Sequence, residues 1–219
     1  MLIVSNLQKS YQNEPVLNGI SFTVPPAGIL GVYGSNGAGK TTLLHVLASI
    51  LPPDSGHVSL LGIELAPGRL RRYRGLIGFV PQNIALSPRL TVRQNLDFWA
   101  AIRGFSSQER VRRVAEAAEL ANVQAFMNKP VSRCSGGMAR RANLAAGIIG
   151  TPPLILLDEP TAGLDEENRE LVLQTIRTLR QNGCMVVMVN HYRQELTGLC
   201  DQIILLKNGK AGQTNGQAV

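Results

Sequence analysis

Residues Gly34-Ser35-Asn36-Gly37-Ala38-Gly39-Lys40-Thr41 constrain this chain more than any other stretch, because a glycine-rich run closing on a lysine and a hydroxyl joins a buried strand to a helix around phosphate. The flanks supply that context. Ile29-Leu30-Gly31-Val32-Tyr33 reads as an apolar strand before the loop, and residues 42–48 read as a helix after it. The pattern predicts a nucleoside triphosphate site. Gly34, Gly37 and Gly39 can take positive φ and let backbone N–H groups converge on the anion beside about half a unit of positive charge at the helix start. Lys40 is expected at the β- and γ-phosphates, and the Thr41 hydroxyl in the shell of a Mg²⁺ ion. Ser35, Asn36, Ala38 and Thr42 complete the phosphate-binding set, with Thr42 continuing the helix.

Downstream, Leu154-Ile155-Leu156-Leu157 is an apolar run of the kind found in a buried parallel strand, and it ends in Asp158-Glu159-Pro160. Carboxylates at that end share a sheet edge with the phosphate loop, where ligands of open α/β folds collect. Asp158 is expected to hold Mg²⁺, and Glu159, turning back as the strand ends, to take a proton from water beside the γ-phosphate. An acidic pair that merely caps a strand is the plainer alternative.

Between these two motifs lies Cys134-Ser135-Gly136-Gly137-Met138-Ala139-Arg140-Arg141, and with it the chain resembles an ATP-binding cassette (ABC) ATPase. The family signature is usually Leu-Ser-Gly-Gly-Gln; Ser135, Gly136 and Gly137 match it, whereas Cys134 and Met138 depart. Cys134 can serve as a small apolar residue in the leucine slot. The resemblance runs from the opening strands to about Leu206. It implies that Tyr11 stacks on adenine, although an edge-strand packing role would also suit it. Stacking contributes about 1–3 kcal/mol, so base selectivity should be modest and GTP acceptable. Gln82 is implied at the metal and the attacking water, with a plain surface turn as the alternative. Asp165 is implied in a loop that crosses to a partner cassette and also suits a helix cap. His191, after the apolar run from Met185 to Val189, is implied as the switch histidine that bonds the γ-phosphate.

The expected fold is α/β: a phosphate-loop NTPase core with a mixed central sheet, an N-terminal antiparallel β subdomain and an inserted α-helical subdomain. One domain is expected over residues 1–219, with 1–90 and 151–219 as the nucleotide core and 91–150 as the helical insertion carrying the signature. In the insertion Val92, Leu96 and Trp99 share a face, and Val111, Val114, Ala115, Ala118 and Leu120 suggest a second apolar stripe. The polar tail after Lys207 reads as loose.

A length of 219 residues allows one cassette, and no apolar segment approaches the ~18–20 residues needed to span a bilayer. A cytoplasmic protein, peripheral at the inner face of the cell membrane, is expected. Cys134, Cys184 and Cys200 form neither a metal pattern nor a disulfide frame, so neither zinc nor disulfide is expected. Net charge is +7, and Arg69, Arg71, Arg72, Arg74, Arg89, Arg93, Arg103, Arg110, Arg112 and Arg113 face only Asp97 and Glu109 in that interval. This stripe suits a membrane-side role or a solvated surface; no nucleic-acid partner is expected.

The resemblance implies a dimer with a second copy or a paralogous cassette, closing head to tail over ATP, with a permease on a separate chain. Ser-Gly-Gly-Met followed by two arginines, together with Leu90-Thr91-Val92-Arg93-Gln94-Asn95-Leu96, resembles the ATPases of bacterial drug and multidrug exporters. A cassette ATPase acting on nucleic acid or ribosomes is the main alternative, and a phosphate-loop small-molecule kinase the lesser one.

Overall fold

The computed structural model describes residues 1–191 and 193–214, without the side chains of residues 213 and 214. In chain order the elements are β1 (Leu2–Tyr11), β2 (Glu14–Val24), β3 (Ile29–Tyr33), α1 (Lys40–Leu47), β4 (Ser55–Leu60), β5 (Ile63–Glu64), α2 (Leu70–Arg74), β6 (Ile77–Val80), α3 (Val92–Ile102) and α4 (Ser107–Leu120). There follow α5 (Gly136–Ile148), β7 (Leu154–Asp158), α6 (Glu166–Gln181), β8 (Met185–Val189), α7 (Arg193–Thr197), β9 (Gln202–Lys207) and β10 (Lys210–Thr214).

These strands make two sheets. The smaller is antiparallel, in the order β2-β1-β4-β5, and its first hairpin turns at Gln12 and Asn13, whose φ angles of 48° and 69° fit the tight turns that match strand twist. The larger runs β10-β9-β3-β8-β7-β6, parallel from β9 to β6 with β10 antiparallel at the edge, so the central sheet is mixed as expected.

Alternation along the central strands divides their side chains between two cores. Leu154 and Leu156 of β7, with Val187 and Val189 of β8, pack toward α1 and the small sheet. Ile155 and Leu157, with Val186 and Met188, pack toward the helices. Both faces of β7 and β8 are therefore buried, which is why they read as unbroken apolar runs in the sequence.

The helical segment is fixed at its entrances by reciprocal caps, Thr91 with Gln94 for α3 and Ser106 with Glu109 for α4. Asn95 is buried inside α3: its amide oxygen accepts from the Ser87 N–H at 2.7 Å, and its amide nitrogen donates to the carbonyls of Ser87 and Thr91. Arg103, at the end of α3, donates to the carbonyl of Ile77 at 2.9 Å and so ties the helices to β6.

Three expectations need correction. Residues 210–214 are strand β10 rather than loose tail, because Asn208 and Gly209, with φ angles of 49° and 71°, make a two-residue hairpin turn; residues 215–219 lie outside the described residues. Of the expected α4 stripe, Val114 and Ala118 are buried and Leu120 packs against the core, but Val111 and Ala115 are exposed and Ala117 is buried in their place. The arginines do not form one unpaired stripe. Arg110 meets Asp97, Arg112 and Arg113 meet Glu116 just past the interval, and Arg74 donates to Ser49.

Replacing the Asn95 amide by an isosteric apolar group, Asn95→Leu, strands several backbone groups and should lower unfolding stability by about 2–3 kcal/mol. Urea denaturation would measure the loss; a change below about 0.5 kcal/mol would contradict the latch.

Candidate functional site

Strands β3, β8, β7 and β6 are neighbours in that order and run parallel, so their carboxyl ends form a row spaced about 4.8 Å apart. Each end delivers one of the residues singled out in the sequence. The phosphate loop leaves β3, Asn190 and His191 leave β8, Asp158 closes β7 with Glu159 after it, and Gln82 follows β6 by two residues.

Within the loop, Gly37 and Gly39 have φ angles of 77° and 97°, left-handed geometry that strains other residues. Gly39 is also hemmed in, since a Cβ there would lie 2.7 Å from the Val16 carbonyl oxygen. Gly34 serves a different need. Its φ is not positive; the demand is space, because a Cβ would collide with the main-chain carbonyl of Leu206 in β9. Ser35, Asn36 and Thr41 are exposed, Thr42 is half-buried and Ala38 is buried.

Lys40 is buried and donates to the carbonyls of Gly34 at 2.8 Å and Ser35 at 2.9 Å, which holds the ammonium inside its own loop. Burial pushes its pKa down, opposed by the charges of Glu159 and Asp158. Asp158 is 3% exposed, and burial pushes its carboxyl above the usual range against a hydrogen bond from Thr41.

Glu159 adopts φ 49°, a left-handed conformation that costs a non-glycine residue on the order of 1 kcal/mol. That turn brings its carboxylate back over the strand ends while its N–H donates to the Val189 carbonyl at 3.0 Å. One carboxylate oxygen accepts from the Gln82 amide nitrogen at 2.8 Å, and the other lies 2.5 Å from His191 Nε2. Gln82, Glu159 and His191, far apart in sequence, thus meet at one carboxylate.

The Thr41 hydroxyl beside the Asp158 carboxylate is a hard oxygen pair of the kind Mg²⁺ takes, with phosphate oxygens and water to fill the octahedron. The desolvated Asp158 charge fits a cation better than it fits the protein alone.

Ser135, Gly136 and Gly137 are not joined to this cluster. Ser135 caps α5, its hydroxyl accepting from the Met138 N–H at 3.2 Å, and among the described residues no hydrogen bond links the three to the phosphate loop. Ser135 and Gly136 are exposed, and Gly137 leaves room for the Asn168 side chain of α6. Cys134 packs at the edge of the helical core, as its leucine-slot reading requires. Asp165 caps α6 by accepting from the Asn168 N–H at 2.8 Å. Tyr11 closes β1 opposite Glu14 and is 44% exposed, so it is not an edge packing residue.

Comparison with known proteins decides the family. The family model described as ABC transporter matches residues 17–162. This chain belongs to the ABC transporter family. It is 35% identical over 210 residues to the linearmycin resistance ATP-binding protein LnrL of Bacillus subtilis (strain 168), covering 96% of this chain and 67% of that protein. It is 38% identical over 205 residues to the Nod factor export ATP-binding protein I of Burkholderia orbicola (strain AU 1054), covering 94% and 67% respectively. The cassette thus spans about two thirds of the length of these relatives. A solved dimeric ATP-binding cassette in a post-hydrolysis state, bound to ADP and Pi, superposes at a TM-score of 0.89 with 27% identity and full coverage of both chains. The cassette is therefore an ATP-binding ATPase of the transporter type.

Sequence reasoning did not find a second polar cluster behind this row. Asn190, buried, donates to Thr161 Oγ1 at 2.9 Å and to Glu195 Oε2 at 2.6 Å, and Thr161 donates to the same oxygen. Arg169 of α6 faces the other Glu195 oxygen at 3.2 Å. The cluster ties the segment after β8 to the loop after Glu159. Its members are scattered and single, so no spacing announces them.

Asp158→Asn tests the electrostatic reading of the nucleotide-free cassette. A carboxyl whose folded pKa is raised favours folding only while protonated, and loses that contribution as pH rises through the folded value. The variant should therefore unfold at a higher temperature than the parent near pH 7, with the gain shrinking as pH falls through the acidic range. A lower melting temperature at pH 7 would contradict it.

Proposed function

We propose that this cassette is the ATP-hydrolysing subunit of an export transporter. Two copies, or one copy and a paralogous cassette, close head to tail around Mg-ATP and drive a permease carried on separate chains. The observation that carries the reading is the split between a complete row of Lys40, His191, Asp158, Glu159 and Gln82 and a signature segment outside that row. One chain then offers half of each of two sites, which a two-fold dimer completes.

The chemistry follows from the cluster. Lys40 has a third N–H beyond its two carbonyl bonds with which to meet the terminal phosphates. Backbone N–H groups of residues 34–41 and the hydroxyls of Thr41 and Thr42 complete the cradle, and Tyr11 offers its ring to the base. Thr41, Asp158 and the Gln82 amide oxygen would hold Mg²⁺, which when bound neutralises charge developing on the phosphate oxygens. Glu159 accepts the proton of the attacking water. His191 and Gln82, one at each carboxylate oxygen, fix its direction, and His191 is placed to bridge to the γ-phosphate. Loss of that phosphate removes what the Ser135, Gly136 and Gly137 segment of the second copy grips, and the halves part.

Export is supported by the Nod factor export protein and the linearmycin resistance protein among the relatives. Among the described residues no helix is long and apolar enough to cross a membrane, which supports a peripheral subunit at the inner face working on a partner's spans. Residues 91–150 form the arm that carries the signature and passes movement outward through Gln82.

Glu159→Gln should keep ATP binding, slow hydrolysis by about 10²–10⁴-fold and accumulate a dimer on a sizing column with saturating Mg-ATP. Unchanged turnover would remove Glu159 from that role. Ser135→Arg should leave nucleotide binding to the monomer intact and abolish that dimer; an ATP-dependent dimer in this variant would refute the shared site.

A further inference from the structure

Arg140 lies on α5, five residues beyond the capping Ser135, with its guanidinium half-buried. One Nη donates to the main-chain carbonyl of Gln82, and the other to the carbonyl of Ala162 at 3.4 Å. These acceptors stand on both sides of Glu159. The Gln82 side chain donates to the Glu159 carboxylate, and the Ala162 N–H donates back to the Glu159 carbonyl at 3.2 Å. A single planar fork therefore grips the main chain at the approach from β6 and at the loop leaving β7.

Its neighbour behaves differently. Arg141 donates to Asn168 Oδ1 at 3.1 Å and to the Asn122 carbonyl, and lies over the Phe126 ring at 5.1 Å, all within the helical packing. Of these two arginines, it is Arg140 that reaches the Gln82 and Glu159 segments. Burial pushes the Arg140 pKa down, opposed by the nearby Glu159 charge.

We propose that Arg140 is a positioning residue for hydrolysis: by fixing the carbonyls of Gln82 and Ala162 at one spacing, it holds the Gln82 amide and the Glu159 carboxylate in register for the attacking water. The proposal rests on the reading of Glu159 as the general base. It requires a fork. Two carbonyls on separate segments can each take one arm of a guanidinium, whereas an ammonium is a compact point donor without that fixed geometry. Because Ser135 caps α5, the seat of the signature helix sets the position of both carbonyls, and hydrolysis at one nucleotide depends on how that helix is held.

The experiment compares Arg140→Met and Arg140→Lys, alone and combined with Glu159→Gln, in fluorescent ATP-analogue binding, steady-state and single-turnover hydrolysis of Mg-ATP, and thermal melting. Since misplacement by about 1 Å can cost up to about 10²-fold, Arg140→Met should lower kcat roughly 10- to 100-fold with nucleotide affinity within about twofold. Arg140→Lys should melt close to the parent yet recover only part of kcat, and it carries the test if Arg140→Met does not fold. In the Glu159→Gln background either change should remove less than about threefold more, since residues acting as a unit are not additive. Parental kcat in Arg140→Lys, or a full further loss on top of Glu159→Gln, would overturn the proposal. Parental turnover of Glu159→Gln alone would instead sink the general-base reading, and is distinguished by that single variant.

Discussion

The nucleotide end of this molecule depends on the burial of β7 between β6 and β8. Parallel pairing sets Leu157 opposite Val80 on one side and Asp158 opposite Val189 on the other, and the two cores lock the side chains of β7 from above and below. A slip of one residue would exchange the two faces of the strand and send Asp158 into apolar packing. The chemistry is therefore anchored by hydrophobic burial, and the polar groups decorate an edge whose position they do not determine.

At that edge, local stability gives way to function. Glu159 sits in left-handed backbone, Asp158 and Lys40 are buried charges, and Lys40 spends two hydrogen bonds on its own loop. None of these would be chosen for stability alone. On the proposed reading they make sense together: an acidic pair and a buried ammonium, already drawn close, would need little rearrangement to take a phosphate and a cation.

Much of this was legible in the sequence, for identifiable reasons. Ile29–Tyr33, Met185–Val189 and the helix from Glu166 to Gln181 stand where their apolar runs and the Asp165 cap put them, because buried parallel strands and a capped amphipathic helix leave unambiguous patterns. The meeting of Gln82, Glu159 and His191 followed from three strand ends on one edge. The Asn208-Gly209 turn was a readable hairpin signal that the polarity of the tail outweighed. By contrast, the bend at Glu159, the steric role of Gly34 and the grip of Arg140 on two carbonyls arise from tertiary contacts between residues far apart in the chain. A single sequence carries no mark of which carbonyl will face which side chain.

The carbonyl of Leu206 that denies Gly34 a side chain also makes the β9–β10 hairpin the back wall of the phosphate loop. The same hairpin reaches β2 through the Gly209 carbonyl, which accepts from the Asn18 N–H at 2.7 Å. A side chain at position 34 would therefore press on β9 as well as on its own loop, and the hairpin it displaced is the one that holds the Asn18 N–H of β2.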